Sequence, residues 1–285
     1  MSITSERSQL VFRKAEHALR KLSSGQDAER VHRFRTTVRR LQTMLEELSP
    51  ERDRNQKKLL KILERVRKRA GKVRDLDVQL TALRSLKILP EPRRKTRLTH
   101  GLIELRLKHE NKLRKILTRN VIREVRKRLR RASKEAGLET SRDPLAIARQ
   151  MLAQVEFPAE PLTEDVMHQF RTAVKRARYA AEFAPKSAEA SQFIAELKRL
   201  QDAIGSWHDW LTLTHSAGTR LGDVSESSLV ATLHNVTGSK FRHAVAALSA
   251  SPAFKGVLRH TKSTEQSRRL NTHAPTRVVR TDVAA

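Results

Sequence analysis

The chain of 285 residues carries 59 Lys and Arg against 31 Asp and Glu, a formal net charge of +28, with 38% hydrophobic and only 4% aromatic residues. That apolar share suffices for a buried core and excludes wholesale disorder, and no apolar run approaches the ~20 residues of a membrane-spanning helix. The absence of cysteine excludes disulfides, thiolate metal sites and a cysteine nucleophile, and the charged start MSITSERSQLVFRK does not have the form of a secretory signal. A reducing compartment, the cytoplasm, is the expectation that follows.

Helical periodicity runs almost end to end, and nothing alternates as a strand would. In chain order, Ser5–Leu22 repeats Val11, Ala15, Ala18 and Leu22 at helical spacing. A second helix starts near Asp27, carries Val31, Phe34, Val38, Leu41, Leu45 and Leu48, and is stopped by Pro50. A third spans Asp53–Ala70, with Gly71 as breaker, and Asp75 is placed to cap a further segment, Leu76–Leu86, that ends before Pro90. One long helix is expected over Arg93–Ala132. Gly137 and Pro144 punctuate a linker, after which helices are predicted over Pro144–Val155, Thr163–Phe183, Ala188–Ile204, Trp207–Gly218 and Ser225–Leu248. Residues 251–285 are rich in Thr, Ser and Arg, lack an apolar face and read as a basic, disordered tail.

Self-similarity organises this series. His32–Arg40 (HRFRTTVRR) aligns without a gap with His168–Arg176 (HQFRTAVKR), and a glutamate, Glu46 or Glu182, stands fourteen residues past each histidine. Leu63–Asp77 aligns with Leu197–Leu211, placing Gly71 and Gly205 four residues before Asp75 and Asp209. The sequence therefore reads as an all-α tandem duplication: residues 1–135 and 145–250 as two helical units, 136–144 as linker.

A net charge of this size repels itself, and bound polyanions relieve the repulsion. The candidates are nucleic acid, an anionic membrane and a phosphate polymer. One Tyr and two Trp offer few platforms for stacking bases, which favours a ligand that is mainly phosphate. At ~100° per residue, His32, Arg35, Arg39 and Gln42 fall in one band about 80° wide, as do His168, Arg171, Lys175 and Arg178. Each band lies beside the apolar seam, where it can line a groove between helices, and extends about 15 Å. A basic helix face is ordinarily just solvated, but solvation alone does not reproduce His and Arg at the same places twice. Lys61, Arg65, Lys68 and Lys72 form a further stripe, opposite their seam and so closer to a solvated face. Arg106 and Lys112 align loosely with His234 and Lys240. Glu46 and Glu182 share the bands and are expected to pair with arginines; Asp75 and Asp77 are expected to cap a helix rather than hold a metal.

No phosphate-binding glycine loop, HExxH or GxSxG occurs, so no cofactor, metal or catalytic residue is expected. The doubled motif, VHRFRTTVRRL and MHQFRTAVKRARYAAEF, with AGKVRDLD and LKRLQDAIGSWHD, resembles the two halves of a CHAD (conserved histidine α-helical) domain over roughly residues 5–250. The resemblance implies two pseudo-symmetric four-helix bundles around a basic central groove or pore. It also implies binding of inorganic polyphosphate, association with polyphosphate granules, and no catalysis. Its anion-binding positions correspond here to His32, Arg35, Arg39, Arg40, His168, Arg171, Lys175, Arg176, Arg178 and Lys198. Gln42 and Glu64 depart from the pattern in the first half, which implies a weaker grip there. The alternatives are a nucleic-acid-binding protein, for which the tail adds basic charge, and an enzyme acting on polyphosphate.

Overall fold

The computed structural model of the chain describes residues 5–49, 52–86, 92–135, 142–155, 162–222 and 224–254. Among these the protein is all-α: α1 Ser5–Ser24, α2 Ala28–Thr43, a π-helical turn Met44–Leu48, α3 Arg54–Ser85, α4 Pro92–Ile116, α5 Arg119–Glu135, α6 Pro144–Ala153, α7 Glu164–Ala181, α8 Ala188–Leu221 and α9 Ser228–Ala250. Side-chain oxygens close the exposed amides of the first turns. Asp27 accepts from Arg30 N at 2.9 Å, Asp53 from Gln56 N at 2.9 Å and Ser187 from Ala190 N at 3.0 Å. No described helix is long and apolar enough to cross a membrane. Pro50, Pro90, Gly137 and residues 255–285 lie outside the described residues.

The apolar periodicity resolves into two bundles. In the first, α1, α2, α3 and α5 bury Leu19, Phe34, Val38, Leu63 and Val125 among others; in the second, α6–α9 bury Phe170, Val174, Leu200 and Trp207. The aligned segments occupy matching helices, 32–40 on α2 with 168–176 on α7, and 63–77 on α3 with 197–211 on α8.

Three boundaries differ from expectation. Gly71 and Gly205 do not break their helices; α3 and α8 run straight through them for 32 and 34 residues. A glycine inside a helix costs about 1 kcal/mol relative to alanine, and packing at both ends outweighs it. The N-terminal halves of α3 and α8 serve the bundle cores, while the C-terminal halves enter a third core. There Leu76, Leu80 and Leu83 meet Leu98 and Leu102 of α4, Leu213, Ala217 and Leu221 of α8, and Leu229, Val230 and Leu233 of α9. Conversely, the single helix expected over Arg93–Ala132 divides at Leu117–Thr118, where the Thr118 hydroxyl accepts from Val121 N at 3.2 Å and restarts the helix as α5. Asp75 and Asp77 cap nothing. They lie within α3, where Asp75 pairs with Arg35 at 3.4 Å and Asp77 with Arg106 at 2.6 Å.

The third core joins the two sequence halves. Eleven buried apolar side chains drawn from both could not be exposed by separating the bundles without leaving a patch foreign to a soluble surface. Arg7 on α1 adds a polar tie, donating to the carbonyls of Phe183 at 3.1 Å and Ala184 at 2.7 Å between α7 and α8.

The first residues assigned to the tail belong to the second bundle. Phe254 is fully buried, edge-on to Phe170 with ring centroids 5.3 Å apart, and Glu196 accepts from Ala253 N at 3.0 Å and from the Ser251 hydroxyl. Phe254→Ala is therefore expected to cost about 3–5 kcal/mol of stability, the range for emptying a core phenylalanine. Urea denaturation followed by circular dichroism measures it, and a loss under about 1 kcal/mol would return these residues to the tail.

Candidate functional site

Where α2 packs against α7 and α3 against α8, the four helices enclose an open groove of about 940 Å³. Its walls carry eight Arg or Lys side chains against four Asp or Glu. Seven positions picked out in the sequence meet there: His32, Arg35, Arg39 and Arg40 from α2, and Arg171, Lys175 and Arg178 from α7. The helical bands beside the apolar seams thus face one another across a shared space.

The cations divide by partner. Arg40 and Arg178 are structural: Glu182 accepts from Arg40 Nε at 2.7 Å and from Arg178 Nη1 at 2.6 Å, and Gln201 accepts from Arg178 Nε at 2.9 Å. Both guanidinium groups lie over the Tyr179 ring, at 5.7 and 4.9 Å from its centroid. Burial works against the charge of Arg40, yet the hydrogen bond and charge of Glu182 hold its pKa above the ordinary arginine value. The expected pairing of Glu182 with arginine is present. Glu46 makes no such pair among the described residues; Glu47 instead holds Arg176. The π-helical turn that ends α2 widens the spiral there and moves the register on by about one residue.

Arg39, Arg74, Arg171 and Lys175 line the groove without an ion-pair partner among the described residues. Burial, reinforced by repulsion from Arg39, lowers the pKa of Arg35 even though Asp75 stands beside it. Burial likewise outweighs Asp209 and Asp75 at Arg171, whose buried Nε has no hydrogen-bond partner among the described residues. Lys175 is affected most: burial first, then the charges of Arg171 and Arg39, bring it down to about 7. Withdrawn from water and set against like charges, these groups form a field that a multivalent anion would neutralise.

Other expected positions stand elsewhere. His168 lies one turn beyond Arg171, outside the groove, with its ring edge-on to Trp207 at 5.3 Å and His208 at 5.0 Å, and its Nδ1 2.8 Å from the Glu164 carbonyl. Arg176 and His168 line a separate depression with Met151. Lys198 and Lys240 line another depression, between α8 and α9. Arg65, Lys68 and Lys72 are exposed on the outer face of α3, and Lys112 is exposed on α4. Arg106 is committed internally, bonded to Asp77, Glu110 and the Gln26 carbonyl at 2.6, 2.5 and 2.9 Å. His32 does reach the groove, but burial and Arg74 lower its pKa, so it gains charge only below the usual histidine range.

The bands on α2 and α7 leave out two arginines of α3 that stand near these cations. Arg74 lines the wall, and Arg67 sits close enough to Arg39 and Arg35 for their charges to lower its pKa beyond what burial does. Both flank Gly71 on the side of α3 adjacent to its seam, the criterion that singled out the bands on α2 and α7. The Arg35 guanidinium lies against that glycine, where a Cβ would stand 3.7 Å from Nη2.

Among the described residues no group of three or more His, Cys, Asp or Glu is placed to hold a metal ion. No curated protein matches the chain. The chain is similar in fold to the crystal structure of the CHAD domain from the plant Ricinus communis, with a TM-score of 0.58 and 16% identity over 90% of each chain. The family profile of the CHAD domain matches residues 8–217, which spans both walls of the groove, and on that match the chain belongs to the CHAD-domain family.

Proposed function

We propose that this protein binds linear inorganic polyphosphate in the groove between α2, α7, α3 and α8, as a binding module without chemistry of its own, and through that polymer associates with polyphosphate granules. The observation that carries the reading is the set of unpartnered, partly desolvated cations, Arg39, Arg74, Arg171 and Lys175, converging from both bundles. Arginine supplies paired donors that fit phosphate oxygens, and each such charged hydrogen bond is worth about 1.5–3 kcal/mol. A ligand that is all phosphate suits the lining. Of its two larger aromatic rings, Tyr179 is covered by Arg40 and Arg178, leaving half-buried Trp210 as a lone stacking surface. The carboxylates Asp75 and Glu182 are engaged by arginine, which suits them to holding the walls in place.

Replacing Arg39, Arg171 and Lys175 together by glutamine is expected to weaken polyphosphate binding at least 100-fold, since two or three charged hydrogen bonds are lost. The slope of log affinity against log salt should become shallower by about 2–3. None of the three makes an ion pair among the described residues, so helicity should be retained. Isothermal titration with long-chain polyphosphate measures both, and wild-type affinity in a folded variant would refute the groove as the site.

A pH dependence follows from Lys175, whose pKa burial and neighbouring cations bring down to about 7. Phosphate beside it favours the ammonium form and raises that pKa. Below pH 7 the lysine is already charged and contributes no dependence. Above pH 7 binding takes up a proton, and affinity falls by up to tenfold per pH unit until the pKa of the bound state is passed. Titrations at pH 6 to 9 in buffers of different ionisation enthalpy should show this uptake. Lys175→Met should abolish it, and a proton uptake unchanged in that variant would exclude Lys175 as its source.

A further inference from the structure

The outer face of α5 is a second cationic surface, and nothing in the groove accounts for it. Seven of the eight residues that line this face are Arg or Lys, the other being Ile122. On helical spacing Arg119, Arg123, Lys127 and Lys134 follow one another along a ridge about 22 Å long, and Arg126 and Arg130 share with them a band about 100° wide. The opposite face of α5 is spent on the first core through Val125, Leu129 and Ala132. Arg126 and Arg130 are partly neutralised by Glu16 of α1, at 2.8 and 3.3 Å, and Glu124 turns to Arg128. Arg119, Arg123, Lys127 and Lys134 are exposed and make no ion pair or hydrogen bond among the described residues.

We infer that the α5 ridge is a separate, sequence-independent docking surface for the phosphate backbone of double-stranded nucleic acid. Charge complementarity selects a polyanion, and shape and composition select among polyanions. An interfacial membrane helix needs an apolar face to insert, and here that face is buried in the core. A protein partner would need an apolar centre to the patch, and only the half-buried Ile122 is present. A thin flexible chain finds donors on all sides in the groove but on one side only at the ridge, whereas a stiff duplex presents phosphates across the ridge's full width. The lack of an aromatic residue along it excludes base stacking and leaves backbone contact, the mode that supplies sequence-independent binding. This inference does not rest on the polyphosphate reading, because the ridge and the groove share no residue.

The test uses the full chain and a fluorescent DNA duplex of about 20 base pairs, titrated at several salt concentrations. Replacing Arg119, Arg123, Lys127 and Lys134 by glutamine should reduce duplex affinity at least tenfold and make the salt slope shallower by about 3–4, close to one unit per lost phosphate contact. The groove variant Arg39→Gln/Arg171→Gln should keep the wild-type slope, and one equivalent of polyphosphate should leave the duplex bound. Because the four substituted side chains hold no partner among the described residues, the thermal midpoint should be unchanged, which separates lost binding from unfolding. Wild-type slope in the ridge variant, or loss of duplex binding in the groove variant instead, would overturn the inference. So would retained duplex binding with loss of binding to phosphatidylglycerol vesicles, which would assign the ridge to a membrane.

Discussion

Like charges resist being brought together, and this fold gathers basic side chains from three helices, α2, α3 and α7, into one partly dehydrated space. Everything around the groove serves to hold that arrangement against its own repulsion. Arg40 and Arg178, the cations nearest the seam between α2 and α7, are neutralised by one shared carboxylate, Glu182, and stacked on one ring, Tyr179. Behind them the leucine-rich core of α3, α4, α8 and α9 binds the two halves together. Burial of a Leu or Val side chain contributes about 1.5–3 kcal/mol, so this core far outweighs the repulsion of a few half-hydrated cations at an effective dielectric near 20.

Much of this was legible beforehand, because helical period and charge position are local properties. The bands 32–35–39 and 171–175–178 lie beside their apolar seams, and that angular offset alone predicts that they face a cleft. What could not be read locally was which cleft each residue reaches. His168 and Arg171 share a band, yet the first stays exposed against the rings of Trp207 and His208 on α8, and only the second reaches the groove. Arg106 was a basic residue with no evident partner until α3 brought Asp77 to it.

The glycines show the same limit from the other side. Gly71 and Gly205 carry the signal of a break, and intrinsic propensity argues for one. Tertiary packing overrides it, since interrupting α3 or α8 would sever a bundle core from the shared core. At Gly71 the small residue has a further use: the Arg35 guanidinium lies along the helix there. The tie between the two helical units escapes a local reading for a related reason. Two cores of the three are confined to one half or nearly so, but the third has no owner, and its pattern in each half looks like the end of an ordinary amphipathic helix.

The unbroken length of α3 and α8 sets the mechanical character of the cleft. Each helix is anchored at one end in its own bundle and at the other in common ground, so neither wall has a hinge on which to swing. An aperture built between two such beams keeps a constant gauge. For the ligand proposed above, the consequence would be selection by girth: such walls would admit a slender unbranched strand lengthwise and hold bulkier anions of equal charge at the rim.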